Sequence, residues 1–224
     1  MPERRTGTFK DLKVEISERR KKIIVESAKK IMLHSGVRET TLRMIAEEAH
    51  VTTGALYHHF RNQHHIWAAV YVDSVEAILG IFDGIENDTA LTTNEERIRA
   101  LAHRYLTYLL ENGWLVDIRA SIFFEQNFDE DARRQMDEAN DRLLARFMGV
   151  AISSRFKEIA FTQRLAEVLW ALLNGLLVTH RRSNAENAKV LELADHAFDL
   201  WFQLGKGMVK AAEAEVTTGA RTGA

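Results

Sequence analysis

Thr53, Gly54, Ala55, Tyr57 and His58 place small, hydroxyl-bearing and imidazole side chains on one face of a short helical stretch. Small residues at a helix start let the backbone come close to another surface. That end also carries a partial positive charge and free N–H donors, which suit phosphate oxygens. A hydroxyl or methyl beside it can discriminate base edges. The chemistry is recognition rather than bond-making. There is no Gly-rich phosphate loop, no HExxH and no Ser/His/Asp order with a supporting turn. His103 with Tyr105 could be read as an acid–base pair, but a satisfied or surface histidine is far more common. The chain is read as a non-enzyme with no cofactor.

These residues need a scaffold, and the stretch Thr40 to Phe60 supplies one. Leu42, Ile45, Ala46 and Ala49 recur at helical spacing, which predicts an inward-facing helix over about 42–49 with Thr41 as its cap. A second helix is expected over about 53–60, capped by Thr52, with Leu56 and Phe60 on its buried face. The turn at His50–Val51 leaves few residues between them. Two short helices joined so tightly must cross steeply, which is helix-turn-helix geometry. An ordinary surface hairpin of helices has the same pattern.

Bulk properties bound the rest. The chain has 224 residues, 46% hydrophobic and 28% charged, with one Pro and no Cys. Few helix breakers predict an all-α fold. The absence of Cys excludes disulfides and thiolate metal sites. The first residues lack the apolar core of a secretory signal, and no run reaches the length of a membrane span, so a cytoplasmic protein without membrane contact is expected. Residues 1–62 hold 13 Lys/Arg against 8 Asp/Glu, and residues 63–224 hold 17 against 24, so a net +5 module sits on a net −7 body. A basic module suits nucleic acid. His58, His59, His64 and His65 straddle a helix break without a carboxylate or Cys pattern. They are read as a pH-sensitive surface cluster or phosphate contacts, not as a metal site.

Ile24–Ala28, Gly36, Thr40–Thr41, Ile45–Ala46 and the run Val51 to Phe60 resemble the N-terminal domain of TetR-family transcriptional repressors. The resemblance covers roughly residues 18–67. His50 stands where that family usually has glycine, and Met32 where it usually has Phe. Gln63 replaces the Lys that usually opens the fourth helix and touches a phosphate. The resemblance implies an N-terminal three-helix helix-turn-helix domain followed by a larger C-terminal helical bundle that binds a ligand and dimerises. On this basis residues 1–16 are an extension, 17–62 the DNA-binding domain, 63–214 the ligand and dimerisation domain, and 215–224 a disordered tail. The extension is read as a disordered leader, a mobile arm carrying Arg4 and Arg5, or a short extra helix on Phe9, Leu12 and Ile16.

DNA contacts are assigned to Thr41, Arg43, Thr52, Thr53, Gly54, Ala55, Tyr57, His58 and Gln63. Thr41, Tyr57 and His58 would hold phosphates, while Thr53 and Ala55 would face base edges. Further helices are expected over about 18–34, 63–85, 95–111, 114–126, 127–156, 162–182 and 185–214. Asn62, Asn94 and Asn184 are read as caps, and Asn127 with Glu130 as a capping-box-like start. The helix at 162–182 is apolar nearly all round, so Leu169, Leu172 and Leu176, with Phe198, Trp201 and Phe202, are assigned to a two-fold homodimer interface. A monomer whose last helices are covered internally is the alternative. His103, Trp114, Ile118, Ile122, Phe123, Phe147, Met148, Trp170, Leu173 and Asn174 are candidates for an effector pocket, with His103 and Asn174 as polar anchors; singly, each also suits a plain core. The function expected is a repressor released from a palindromic double-stranded DNA operator by a small hydrophobic or aromatic effector. The alternative is a helical protein-interaction module that does not bind DNA.

Overall fold

The computed structural model describes residues 9–152, 159–180 and 187–219, and their side chains other than those of 122–124, 151–152, 159–163, 180 and 208–219. Among the described residues there are helices and no strands. In chain order they are α1 (Phe9–Ser35), α2 (Leu42–Glu48), α3 (Thr53–His59), α4 (Gln63–Glu86), α5 (Asn94–Glu111), α6 (Trp114–Phe124), α7 (Glu130–Ile152), α8 (Ile159–His180) and α9 (Asn187–Gly219). The all-α class expected from the sequence is the one observed.

The ends of these helices show why they start and stop where they do. Gly36 takes φ +83 and donates its N–H to the Met32 carbonyl at 2.9 Å, closing α1 in the left-handed conformation. Nothing between Phe9 and Gly36 breaks the helix, so residues 9–16 are the start of α1 itself, not a separate element. Arg4 and Arg5 lie outside the described residues. Thr41, Thr52 and Asn62 cap as expected, accepting from the N–H groups of Met44, Ala55 and His65 at 3.3, 3.1 and 3.1 Å.

Two expected caps move by one or two positions. Thr93, not Asn94, opens α5: its Oγ1 accepts from Glu96 N at 3.2 Å, and Glu96 Oε2 accepts from Thr93 N at 2.8 Å. That is a reciprocal capping box. The carboxylate of Asp129, not Asn127, opens α7, accepting from Asp131 N at 3.0 Å and Ala132 N at 3.1 Å. The expected cap Asn184 lies outside the described residues. α9 continues to Gly219, into the segment expected as a disordered tail, because Lys210–Glu215 is a run of strong helix formers. Residues 220–224 of that tail lie outside the described residues.

The chain divides into two compact units, Met1–Glu76 with Asn112–Asn140 and Ala77–Glu111 with Asp141–Ala224. The division falls inside α4 and inside α7, not at the 62/63 boundary expected from the sequence. The physical reason is the α6–α7 turn, which is fastened to the start of α4. Asn62 Nδ2 donates to Asp129 Oδ2 at 2.8 Å, and the Asp129 N–H donates to His64 Nδ1 at 3.1 Å. His64 stacks on Phe128 with ring centres 4.4 Å apart.

In the first unit α1, α2 and α3 pack on one another. Ile24, Ala28, Met32, Ile45, Ala46, Leu56 and Phe60 are its buried residues there. Ion pairs from Lys29 to Asp73 and from Lys30 to Glu48 tie α1 to α4 and to α2. In the second unit α5, α8 and α9 pack together. Phe82, Tyr105, Phe147 and Trp170 form one aromatic cluster, with Tyr105 stacked on Trp170 at 5.1 Å and Phe147 tilted against Trp170 at 5.0 Å.

Candidate functional site

The turn between α2 and α3 is built from two unlike anchors. Ile45, Ala46, Leu56 and Phe60 are buried, so each short helix is held by its apolar face. Between them His50 takes φ +53, a left-handed conformation in a residue with a Cβ. The Val51 N–H donates to the Ala46 carbonyl at 2.9 Å and closes the turn. α3 therefore leaves its opposite face free: Thr52, Thr53, Gly54 and His58 are exposed, and Tyr57 is 57% exposed. A Cβ on Gly54 would meet only Thr52 Oγ1, at 3.8 Å, so the approach to this end of the helix is open. Ala55 is half-buried.

Apart from the half-buried Ala55, the residues assigned to DNA thus fall into three groups. Thr53, Gly54, Tyr57 and His58 are brought together on one exposed face. Thr41 and Thr52 are exposed, with their hydroxyl oxygens engaged as caps. Arg43 and Gln63 are engaged elsewhere. Arg43 Nε donates to Glu47 at 2.8 Å in an exposed ion pair, and Glu47 holds the guanidinium above its ordinary pKa. Gln63 Nε2 donates to the Thr40 carbonyl at 2.8 Å, so in this arrangement it serves the protein backbone. The exposed cations Arg38 and Arg61, not singled out from the sequence, flank α2 and α3. The net +5 of residues 1–62 was their only signal.

The four histidines separate into two pairs. His58 and His59 meet edge to face at 5.2 Å. Burial, then the neighbouring His58, Lys21 and Arg20, holds His59 below its ordinary pKa. His64 Nδ1 accepts the Asp129 N–H, so its proton is on Nε2, which donates to Glu125 at 3.0 Å. His65 Nε2 lies 3.2 Å from Asp129 Oδ1 but off the hydrogen-bonding line. Among the described residues no three His, Cys, Asp or Glu side chains are grouped to hold a metal.

The effector candidates are divided between the two units. Trp114 and Ile118, both buried, belong to the first. Ile122 and Phe123 lie on α6 beside them, and their side chains are outside the described residues. Phe147, Met148, Trp170, Leu173 and Asn174 belong to the second. His103 is exposed on α5, on the side away from the buried stripe of Ile98, Leu101, Ala102, Tyr105, Leu106 and Leu109, so it cannot anchor an internal ligand as expected. Asn174 is occupied: its Oδ1 accepts from the Tyr105 hydroxyl at 3.3 Å, and its Nδ2 donates to the Trp170 carbonyl at 2.8 Å.

The residues assigned to a dimer also divide. Leu169, Phe198 and Trp201 are buried within their own unit, and Trp201 Nε1 donates to the Leu165 carbonyl at 2.8 Å. They are core because α9 packs that face against α5 and α8. Leu176 and Phe202 are half-buried, and Leu172 is exposed. Each helix also carries exposed apolar residues at helical spacing, Val168 and Leu172 on α8 and Leu193, Leu200 and Leu204 on α9, with Leu200 74% and Leu204 59% exposed.

Comparison with known proteins adds to this geometry. Residues 24–70 match the model of the bacterial regulatory proteins, tetR family. The chain is 25% identical over 172 residues to the transposon Tn10 TetC protein of Escherichia coli, covering 77% of this chain and 82% of that protein. A TetR transcriptional regulator from Legionella pneumophila superposes with a TM-score of 0.65 at 19% identity, covering 88% and 98% of the two chains. A transcriptional regulator FadR from Bacillus subtilis, solved in complex with stearoyl-CoA, superposes with a TM-score of 0.62 at 13% identity, covering 80% and 96%.

Proposed function

Because the chain belongs to the TetR family of bacterial transcriptional regulators, we propose that it is a homodimeric repressor, released from a palindromic operator by a small hydrophobic effector. The observation that carries the DNA-binding part is the free face of α3. Thr53, Gly54, Tyr57 and His58 share it, on a basic segment, while Leu56 and Phe60 hold the helix from behind. Thr53 and Ala55 discriminate bases; Thr41, Tyr57 and His58, with the flanking Arg38 and Arg61, hold phosphates. The exposed apolar residues Val168, Leu172, Leu193, Leu200 and Leu204 support dimerisation, because apolar side chains this exposed on two long helices are what a second copy covers in a four-helix interface. Two recognition helices then meet half-sites roughly 34–36 Å apart, or a multiple of that. The similarity to a regulator solved with stearoyl-CoA supports an effector with an apolar body.

Fluorescence anisotropy with operator candidates selected from random duplexes, measured across a salt series, tests this. Binding should weaken steeply with log salt. Thr53→Ala should change the selected sequence while leaving the salt slope nearly unchanged. A chain without DNA affinity at low salt would return the molecule to the alternative of a helical protein-interaction module.

A further inference from the structure

The inference that follows rests on the reading that a small effector binds this chain, and it concerns the chemistry of that effector. α6 begins with Trp114, Leu115 and Ile118 all buried and with Asp117 in its first turn. Arg119, which follows Ile118, is half-buried. Its Nη1 donates to the Tyr71 hydroxyl at 3.0 Å and also to Asn140 Oδ1. Its guanidinium carbon lies 5.9 Å from the centre of the Tyr71 ring. Tyr71 is itself buried, and burial pushes its hydroxyl above the ordinary range, with Arg119 pulling the other way. That hydroxyl is therefore neutral, as is the amide of Asn140 3.5 Å from it. Asp137 is near enough to act on Tyr71. Among the described residues, however, no carboxylate forms an ion pair with Arg119.

A half-buried cation whose hydrogen bonds all go to neutral acceptors keeps its charge and its remaining donors for an anion. Both bonds come from Nη1, so the edge formed by Nε and Nη2 remains, and that edge is the fork that fits a carboxylate with two parallel hydrogen bonds. The Tyr71 and Asn140 contacts fix the guanidinium plane in advance, which reduces the ordering cost of binding. We propose that Arg119, positioned by Tyr71 and Asn140, is the recognition site for the carboxylate of an amphiphilic acid whose hydrocarbon lies beside the apolar residues of α6.

The probes are dodecanoate and its uncharged counterpart dodecanol, titrated calorimetrically into the full-length protein at neutral pH. Wild type should bind dodecanoate about ten- to a hundredfold more tightly than dodecanol. Arg119→Gln should bring that ratio to about one while leaving dodecanol binding in place, and Arg119→Lys should recover part of it. A merely structural arginine would lower the melting temperature without moving the ratio. If Arg119→Gln fails to fold, the wild-type ratio and its decrease in Tyr71→Phe carry the test. Equal affinity for the two probes, a ratio indifferent to these substitutions, or no binding of dodecanoate overturns the proposal. DNA release separates it from the reading beneath it. Release by dodecanol at a ratio of one would leave an effector-responsive repressor without this anion site. An Arg119-dependent ratio with no effect on DNA binding would establish the site and remove the effector role.

Discussion

The side-chain amide of Gln63 donates to the main-chain carbonyl of Thr40 across 2.8 Å, so the first turn of α4 is fixed to the residue just ahead of the α2 cap. Thr40 is buried, and its own hydroxyl donates to the Gly36 carbonyl at 2.7 Å. One carbonyl thus holds the segment that orients the helix-turn-helix. Gln63→Lys exchanges this bond for a mobile cation. It should cost about 1 kcal/mol of stability in chemical denaturation. In the anisotropy salt series the slope of log affinity should steepen by about 0.9 for each further phosphate that the lysine neutralises. An unchanged slope would place position 63 outside the DNA footprint.

His50 is in the left-handed region, at φ +53. A Cβ there is penalised, and glycine avoids the penalty at some loss of chain entropy. His50→Gly should therefore stabilise the protein by about 0.5–1 kcal/mol, a rise of about 1–4 °C in melting temperature. A lower melting temperature would mean that the imidazole supplies a compensating contact.

Neighbouring positions on α9 should behave oppositely. Leu200 faces outward and Trp201 is buried with its indole N–H bonded to Leu165. Leu200→Glu should yield folded monomers by light scattering, with little change in the circular dichroism. Trp201→Ala should lose about 3–5 kcal/mol of stability. A Leu200→Glu protein that remains a dimer at micromolar concentration would move the interface off Leu200.

Asp129 is held below its ordinary pKa by the Ala132 N–H, then by Asn62, with His65 and the Asp131 N–H adding to the effect. A depressed carboxylate contributes stability above its unfolded value and loses it as pH falls through the folded one. The stability gap between wild type and Asp129→Ala should be flat from neutral pH down to about 5, then shrink below about 4. A gap that persists at pH 2 would show that the carboxylate charge is not what caps α7.

Much of the local structure is legible in the residues, because it depends on near neighbours. Thr41, Thr52 and Asn62 cap because a short polar side chain stands just ahead of an apolar period, and Gly36 stops α1 because only glycine takes its backbone angle cheaply. Where polar residues stand close together, as with Thr93–Asn94 and Asn127–Asp129, spacing alone does not choose the cap. The start of α1 is obscured because Phe9, Leu12 and Ile16 are exposed and leave no buried stripe to follow. The candidate site residues are harder to find where a partner lies far along the chain. Gln63 reaches back to Thr40, and Arg119 meets Tyr71 and Asn140, pairings that no periodicity encodes. A lone arginine among the apolar residues of α6 is the available hint. Leu169, Phe198 and Trp201 suit an interface by sequence, because apolar residues in an over-rich helix do not announce which side their own chain will cover.

The first compact unit draws on Met1–Glu76 and on Asn112–Asn140, and this ordering has a consequence for the birth of the molecule. Phe128 and Asp129, which stack on His64 and bond Asn62, are made well after the helices they support. At 5–20 residues per second, the wait from residue 77 to residue 140 is roughly 3–13 s. The nascent DNA-reading end therefore emerges with Trp67 lacking Phe128, and Tyr71 lacking Arg119 and Asn140. The same arrangement means that a cassette cut after residue 62 or 76, meant to carry this specificity into another protein, would leave its clasp behind.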